Sequence, residues 1–256
     1  MAPLRALLLD IDGVLVRGWH PLPGAIEALA SFRASGVPFR LITNTTTKSR
    51  AELGSTLRSG GLDVLDDEVV TAVVATATHL RSHHAGSKVF VLSDGDASAD
   101  MPDIEFADIE HADVIVIGGA GEAFRYETLN RAFRRLKDGA ALVGMHRNMY
   151  WRTEDGWELD GGAFIAGLEE AAGVRAVVCG KPAREYFDAA RSQLGAAAGE
   201  VAMVGDDIVN DVTGAQEAGL VGILVRTGKF QEEDLARGTP DHVVDSIADV
   251  PGLVGA

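Results

Sequence analysis

Two carboxylates one residue apart, Asp10 and Asp12, close the apolar run Leu7-Leu8-Leu9. Such a run reads as a buried strand, and strand alternation sets both acids on one side. Adjacent carboxylates repel unless a proton or a cation stands between them. A divalent ion is the natural third party, and Gly13 lets the chain turn just beyond. Asp-x-Asp-Gly at a strand tip describes a metal-assisted nucleophile; the same residues also describe an acidic loop after a core strand.

Three other groups carry comparable chemistry. Thr43-Asn44-Thr45-Thr46-Thr47-Lys48-Ser49 stands between a strand and a helix. It offers hydroxyls, an amide and free N–H groups to an anion such as phosphate, although Thr and Ser are also ordinary helix caps. Gly180-Lys181-Pro182 places an ammonium after a short strand, able to neutralise a phosphate or a neighbouring carboxylate. Val204-Gly205-Asp206-Asp207-Ile208-Val209-Asn210-Asp211 reads as strand, turn and helix start. Asp206 at the tip can ligate a metal, and Asp211, one turn on, can hold a metal-bound water or the lysine. Asp207 and Asp211 are also what a helix N-terminus attracts. Magnesium takes oxygen ligands and retains waters, so two or three carboxylates plus a phosphate suffice.

The elements that must position these groups alternate along the chain. Strands are expected at 4–9, 38–43, 88–92, 114–117, 140–144, 176–178, 201–204 and 221–225. Helices are expected at 24–35, 48–59, 69–82, 126–136, 164–172, 184–194 and 212–218. The acid-dotted stretch 93–113 reads as exposed surface or loop. Alternation of this kind predicts α/β architecture, a Rossmann-like doubly wound parallel sheet. Ligands of such sheets sit outside the carboxyl ends of the strands. Four tips carry polar groups: Asp10/Asp12, Thr43/Asn44, Lys181 and Asp206/Asp207. The strands between 88 and 144 lack such tips. The contrast predicts a catalytic core of residues 1–75 and 178–256 with an inserted α/β unit at 76–177.

Composition narrows the partners. Among 256 residues, 23 Lys+Arg face 38 Asp+Glu, a net charge of −15. Nucleic-acid binding needs a basic face and is not expected. Cys179 is the single cysteine, which leaves no intrachain disulfide and no cysteine-based zinc site, and the seven histidines show no ligand spacing. No apolar stretch reaches the about 18 residues of a membrane span. The start, Met1-Ala2-Pro3-Leu4-Arg5, runs into a strand and not into a signal-peptide core; a cytoplasmic protein is expected.

Taken in order, the four groups resemble the motifs of the haloacid dehalogenase superfamily of phosphohydrolases. Asp10-Ile11-Asp12-Gly13-Val14-Leu15 is similar to its first motif, Thr43-Asn44 to its second, Lys181 to its third, and Gly205-Asp206-Asp207 with Asp211 to its fourth. Thr43-Asn44-Thr45-Thr46, Gly180-Lys181-Pro182 and Gly222-Ile223-Leu224-Val225-Arg226-Thr227-Gly228-Lys229-Phe230 resemble subfamily IIA, with its large cap between the second and third motifs. That group holds the 4-nitrophenylphosphatase-like proteins. In the cap only the α/β pattern and Met149-Tyr150-Trp151-Arg152 before Asp155-Gly156 carry the likeness.

The resemblance implies a Mg²⁺-dependent phosphatase for a small phosphorylated metabolite. Asp10 would attack phosphorus and form an aspartyl-phosphate. Asp12 would protonate the leaving oxygen and then deprotonate water. Mg²⁺ would sit on Asp10, Asp206 and the main-chain carbonyl of Asp12. Thr43 and Lys181 would grip the phosphoryl oxygens with the N–H groups of Asn44 and Gly13, while Asp207 and Asp211 support the metal site. The turn 17–24 resembles a flexible segment of the family, in which Arg17 and Trp19 could touch substrate or cap, Trp19 reading equally as packing; His146, Arg147, Asn148 and residues 118–122 could face the leaving group, and read equally as exposed surface. Family caps often pair, so a homodimer through the cap is expected. Two alternatives keep the fold: a catalytically weak phospholigand-binding or regulatory protein, and a phosphotransferase or mutase.

Overall fold

The computed structural model describes residues 3–153 and 156–254. Met1, Ala2 and Asp155 lie outside the described residues. Strand β1 (Ala6–Asp10) leads into a small hairpin, β2 (Val16–Arg17) and β3 (His20–Pro21). Then come α1 (Ala25–Ala34), β4 (Phe39–Thr43), α2 (Arg50–Ser59), β5 (Val69–Thr71) and α3 (Ala72–His83). The middle of the chain supplies β6 (Lys88–Leu92), β7 (Glu105–Phe106), β8 (Val114–Ile117), α4 (Tyr126–Lys137) and β9 (Ala141–Gly144). It continues through the hairpin β10 (Tyr150–Thr153) and β11 (Gly156–Leu159), α5 (Gly161–Ala172) and β12 (Val177–Val178). The last part holds α6 (Arg184–Ser192) and β13 (Val201–Gly205), then a π-helical turn at Ile208–Thr213. That turn runs into α7 (Gly214–Glu217), followed by β14 (Val221–Val225) and β15 (His242–Val244).

These elements divide into two compact units. One comprises Met1–Thr43, Arg50–Val70 and Lys181–Ala256; the other comprises Asn44–Ser49 and Thr71–Gly180. The first is built on a six-stranded sheet of order β15-β14-β13-β1-β4-β5. Its centre, β1, pairs in parallel with β13 on one side and β4 on the other. The chain builds outward from β1 through β4 to β5, then returns to lay β13, β14 and β15 on the opposite flank. The order therefore reverses between β1 and β13, and that reversal is where parallel sheets open a crevice for ligands. Leu7, Leu8 and Leu9 show 0% exposure, as a central strand covered on both faces must. Leu7 and Leu9 join Ala28, Leu29 and Phe32 of α1 and Leu53 and Leu57 of α2 in one cluster. Burying each of the larger side chains contributes about 1.5–3 kcal/mol.

The second unit repeats the logic with a five-stranded sheet of order β12-β9-β8-β6-β7, in which every pairing is parallel. Its reversal falls between β6 and β8.

Several expectations need correction. Residues 69–82 are not one helix: β5 takes Val69–Thr71 before α3 begins, the Thr71 hydroxyl accepting the Val74 N–H as a cap. The stretch 93–113 is not simply exposed, since Ala97, Met101, Ile109 and Ala112 are buried and β7 adds an edge strand. The second sheet's strand ends are not bare either. Ser93 follows β6, and its hydroxyl donates to Thr46 Oγ1 at 3.1 Å, which also accepts the Gly119 N–H at 3.0 Å. The loop Asn44–Ser49 thus seats on the carboxyl edge of the second sheet. The chain crosses between units at Val70/Thr71 and Gly180/Lys181 instead of at 75 and 178, and the loop Asn44–Ser49, expected in the first unit, belongs to the second. α3 packs through Ala72, Val73, Ala77 and Leu80 on Val114, Val116 and Val143, and β12 pairs with β9. Among the described residues no helix is long and apolar enough to cross a membrane.

Candidate active site

The first unit's sheet reversal brings together the tips of β1 and β13. Asp10 ends β1 and Asp206 follows Gly205 at the end of β13. Asp211 lies in the π-helical turn that begins after Asp207; π-turns of this kind are frequent at functional sites. All three acids are buried, at 7%, 3% and 1% exposure. Each offers a carboxylate oxygen within 4.8 Å of the others'. Lys181 stands among them, its Nζ 2.7 Å from Asp10 Oδ1 and 2.7 Å from Asp211 Oδ1. Burial alone would strip the charge from Lys181, but the fields of Asp10 and Asp211 prevail and hold it protonated.

Asp206 is the least compensated of the acids. Its Oδ2 accepts the Lys229 N–H at 2.7 Å, while its buried Oδ1 has no hydrogen-bond partner among the described residues. Burial pushes its carboxyl well above the usual carboxylate range; Lys229 lowers it, and Asp10 and Asp211 raise it further. Asp211 is raised as well, first by burial, with Lys181 pulling it back. An unsatisfied buried carboxylate oxygen beside two more acids is the arrangement a hard divalent cation relieves, and the donors are all oxygen. The residues present therefore fit a magnesium ion. Among the described residues no other group of three His, Cys, Asp or Glu comes this close together.

Asp207 takes a different part. Its Oδ1 accepts the N–H groups of Val209 and Asn210, capping the helical turn, and its Oδ2 pairs with Lys229 Nζ at 2.8 Å. Burial would raise it, but Lys229 and Asn210 outweigh that effect and hold its carboxyl at about 2. Asp207 thus braces the loop that carries Asp206.

β1 ends at Asp10, so the pleat does not extend to Asp12, and the same-side argument from alternation does not apply there. Ile11 turns into the core at 1% exposure, while Asp12 forms an isolated bridge with Val16. The Asp12 side chain is exposed. Surrounding protein nonetheless withholds enough water to raise its carboxyl, against the lowering fields of Lys229, Arg17 and Lys181. A raised carboxyl two residues from Asp10 is suited to proton transfer. Gly13 has φ +87° and Gly228 has φ +69°. A Cβ on either would overlap the Asp206 carboxylate and the other glycine's Cα, so two backbone loops close directly over that acid. Arg17 donates to Gly228 O at 3.3 Å across the same seam. Trp19 is half-buried against the main core cluster with φ +66°, which marks it as packing under strain.

Thr43, the last residue of β4, is 2% exposed. Asn44 belongs to the second unit by its contacts, and its Nδ2 donates to Asn148 Oδ1 at 3.2 Å. Within that unit His146 is buried, with Nε2 3.7 Å from Asp160 Oδ1, and Arg147 pairs with Glu169. Neither Lys229 nor Tyr186 stands out in the sequence as a functional residue. Lys229 was visible only inside the stretch 222–230, where nothing in its spacing announces that a positive-φ glycine folds it back onto two acids.

Parallel sheets flanked by helices, with three buried acids and a lysine at the switch point, give an α/β fold with a candidate metal-assisted site where such sheets bind ligands. Residues 7–107 match the model described as haloacid dehalogenase-like hydrolase, and residues 178–250 match a HAD-hydrolase-like model. The chain is 38% identical over 253 residues to haloacid dehalogenase-like hydrolase domain-containing protein 2 of Homo sapiens, covering 95% of this chain and 96% of that protein. It is 35% identical over 259 residues to the phospholysine phosphohistidine inorganic pyrophosphate phosphatase of Mus musculus, covering 98% and 94%. The p-nitrophenyl phosphatase from Archaeoglobus fulgidus superposes with a TM-score of 0.89 at 28% identity, covering 98% of this chain and 99% of that one. The chain belongs to the haloacid dehalogenase-like hydrolase family and is an enzyme of that class.

Proposed function

We propose that this enzyme is a Mg²⁺-dependent phosphatase that hydrolyses a small phosphorylated metabolite through an aspartyl-phosphate on Asp10. The observation that carries the reading is the meeting of Asp10, Lys181, Asp206 and Asp211 at one sheet reversal, with an unsatisfied buried oxygen on Asp206.

The chain's own groups perform the steps. Lys181 and the Thr43 hydroxyl hold the phosphoryl oxygens in line with Asp10. An Asp10 carboxylate oxygen bonds to phosphorus as the bond to the leaving oxygen breaks, and the Asp12 proton passes to that oxygen. The Asp12 carboxylate then takes a proton from water, whose oxygen attacks phosphorus and frees Asp10 and inorganic phosphate. Asp207 and Asp211 hold the loop and the lysine in place. A magnesium ion on Asp10 and Asp206, with the Asp12 carbonyl as a further ligand, would neutralise charge between nucleophile and phosphate.

Replacing Asp10 with Asn and assaying 4-nitrophenyl phosphate with Mg²⁺ tests this reading. Turnover is expected to fall at least about 10³-fold, the scale of losing a nucleophile; undiminished turnover would refute the assignment. The relatives' printed names bring inorganic pyrophosphate and phosphorylated lysine and histidine into the substrate screen, beside sugar phosphates, nucleotides, pyridoxal phosphate and phosphoglycolate. Selectivity is assigned to the second unit. A homodimer is proposed through that unit, whose β10–β11 hairpin leaves Tyr150, Trp151, Trp157 and Leu159 exposed.

A further inference from the structure

Tyr186 sits in α6, whose inward positions Tyr186, Phe187 and Ala190 are all buried. At 1% exposure its ring fills core space that a phenylalanine would fill without placing a hydroxyl out of water. That hydroxyl is fully used. It lies 2.6 Å from Val70 O and 3.0 Å from Thr43 O, to which its one proton can be given, and it accepts the Thr43 N–H at 3.2 Å. The position is particular. The ladder between β1 and β4 runs from Leu7↔Phe39 to Asp10↔Ile42 and stops there, one residue short of Thr43. Val70 likewise stands at the end of its run in the first unit, and the chain passes into the second unit at Asn44 and again at Thr71. The Tyr186 oxygen therefore bonds the Thr43 backbone just past the end of the β1–β4 ladder, at the residue whose hydroxyl the proposed function assigns to the phosphoryl group.

We propose that Tyr186 is a positioning residue for phosphoryl binding, its hydroxyl pinning the Thr43 backbone and thereby fixing where the Thr43 hydroxyl stands. This rests on the reading of Thr43 given under the proposed function. Burial raises the phenol further above its ordinary range, so the proton that holds the pin is never lost at working pH.

The experiment is Tyr186→Phe, alone and combined with Thr43→Val. Circular dichroism checks the fold, hydrogen exchange follows the Thr43 amide, and steady-state kinetics use 4-nitrophenyl phosphate with Mg²⁺. With the fold intact, Thr43 amide exchange is expected to rise about tenfold and kcat/KM to fall about tenfold, the scale of one lost buried hydrogen bond. In the Thr43→Val background the same change should alter kcat/KM by less than about twofold, since coupled residues are not additive. An undiminished tenfold loss in that background, unchanged Thr43 exchange, or loss of the fold in Tyr186→Phe would each overturn the inference. A wild-type protein inert towards 4-nitrophenyl phosphate would instead undo the proposed function, and the exchange measurement would still judge the pin.

Discussion

Asp206 shows how one residue can work against the fold and for the chemistry. Its Oδ1 is buried without a partner, and its charge is disfavoured first by burial. Asp206→Asn is therefore expected to match or exceed the parent in stability by about 1 kcal/mol when metal is chelated. It should also lose Mg²⁺-dependent turnover. Magnesium at a hundred times its dissociation constant would stabilise the parent by about 2.7 kcal/mol and the variant far less. Calorimetric scans in EDTA and then in Mg²⁺ separate the two effects; an equal rise in Tm for both proteins would remove Asp206 from the ligand set. At this scale the sequence was legible where residue type and strand-tip position coincide, as for Asp10, Lys181 and Asp206. It was mute for Tyr186, because a tyrosine on the inward stripe of an amphipathic helix looks like any core aromatic. Its hydroxyl finds its partners only after β4 and β5 have been brought side by side.

Among the elements, α5 illustrates how a helix is tied to its surroundings by one acid. Glu169 is 4% exposed and accepts from Arg147 through both oxygens and from the Ala176 N–H. The Arg147 hydrogen bond leads in holding its carboxyl below the ordinary value, against burial. A depressed folded pKa means the contribution is present above the unfolded value, about 4.3, and is lost as pH falls through the folded one. Glu169→Gln is expected to destabilise by about 1–2 kcal/mol near neutrality, kept modest because Arg147 remains partly in solvent. The penalty should shrink as pH falls below about 4.3, where the unfolded chain takes up its proton, and vanish once the depressed folded carboxyl is protonated too. Urea titrations at pH 7 and at lower pH check it; a difference constant with pH would argue against the ion pair. Alternating apolar runs made most elements readable, β1, β13 and β14 among them. The junction Val69–Ala72 was not, because no glycine or proline separates strand from helix and the apolar run continues through it. The π-turn was hidden too, since its extra residue per turn leaves the acidic cap pattern unchanged.

For the whole molecule, two sheets each reverse their strand order beside the first strand laid down. The first unit's reversal carries the acids, and the second's is covered by the chain's own loop Asn44–Ser49. The proposed dimer belongs to this scale. Trp157 at 50% and Leu159 at 66% exposure place apolar surface on a hairpin in a chain that otherwise carries net charge −15. Burying that patch against a second copy offsets like-charge repulsion. Trp157→Ser with Leu159→Ser is expected to halve the mass read by light scattering while leaving 4-nitrophenyl phosphate turnover within about twofold. A parent that is monomeric at high concentration would end the proposal. The contrast in strand tips that suggested a split does not hold, since the second sheet's ends carry polar groups too, and the boundaries of the two units were not legible. They depend on α3 choosing the second unit's core and on β12 pairing with β9.

Gly13 and Gly228 meet backbone to backbone above Asp206 although 215 positions separate them. A foreign turn with one extra methyl on either side would collide with its untouched opposite number. A chimera that replaces either stretch, 11–16 or 226–230, must therefore keep glycine at both meeting points.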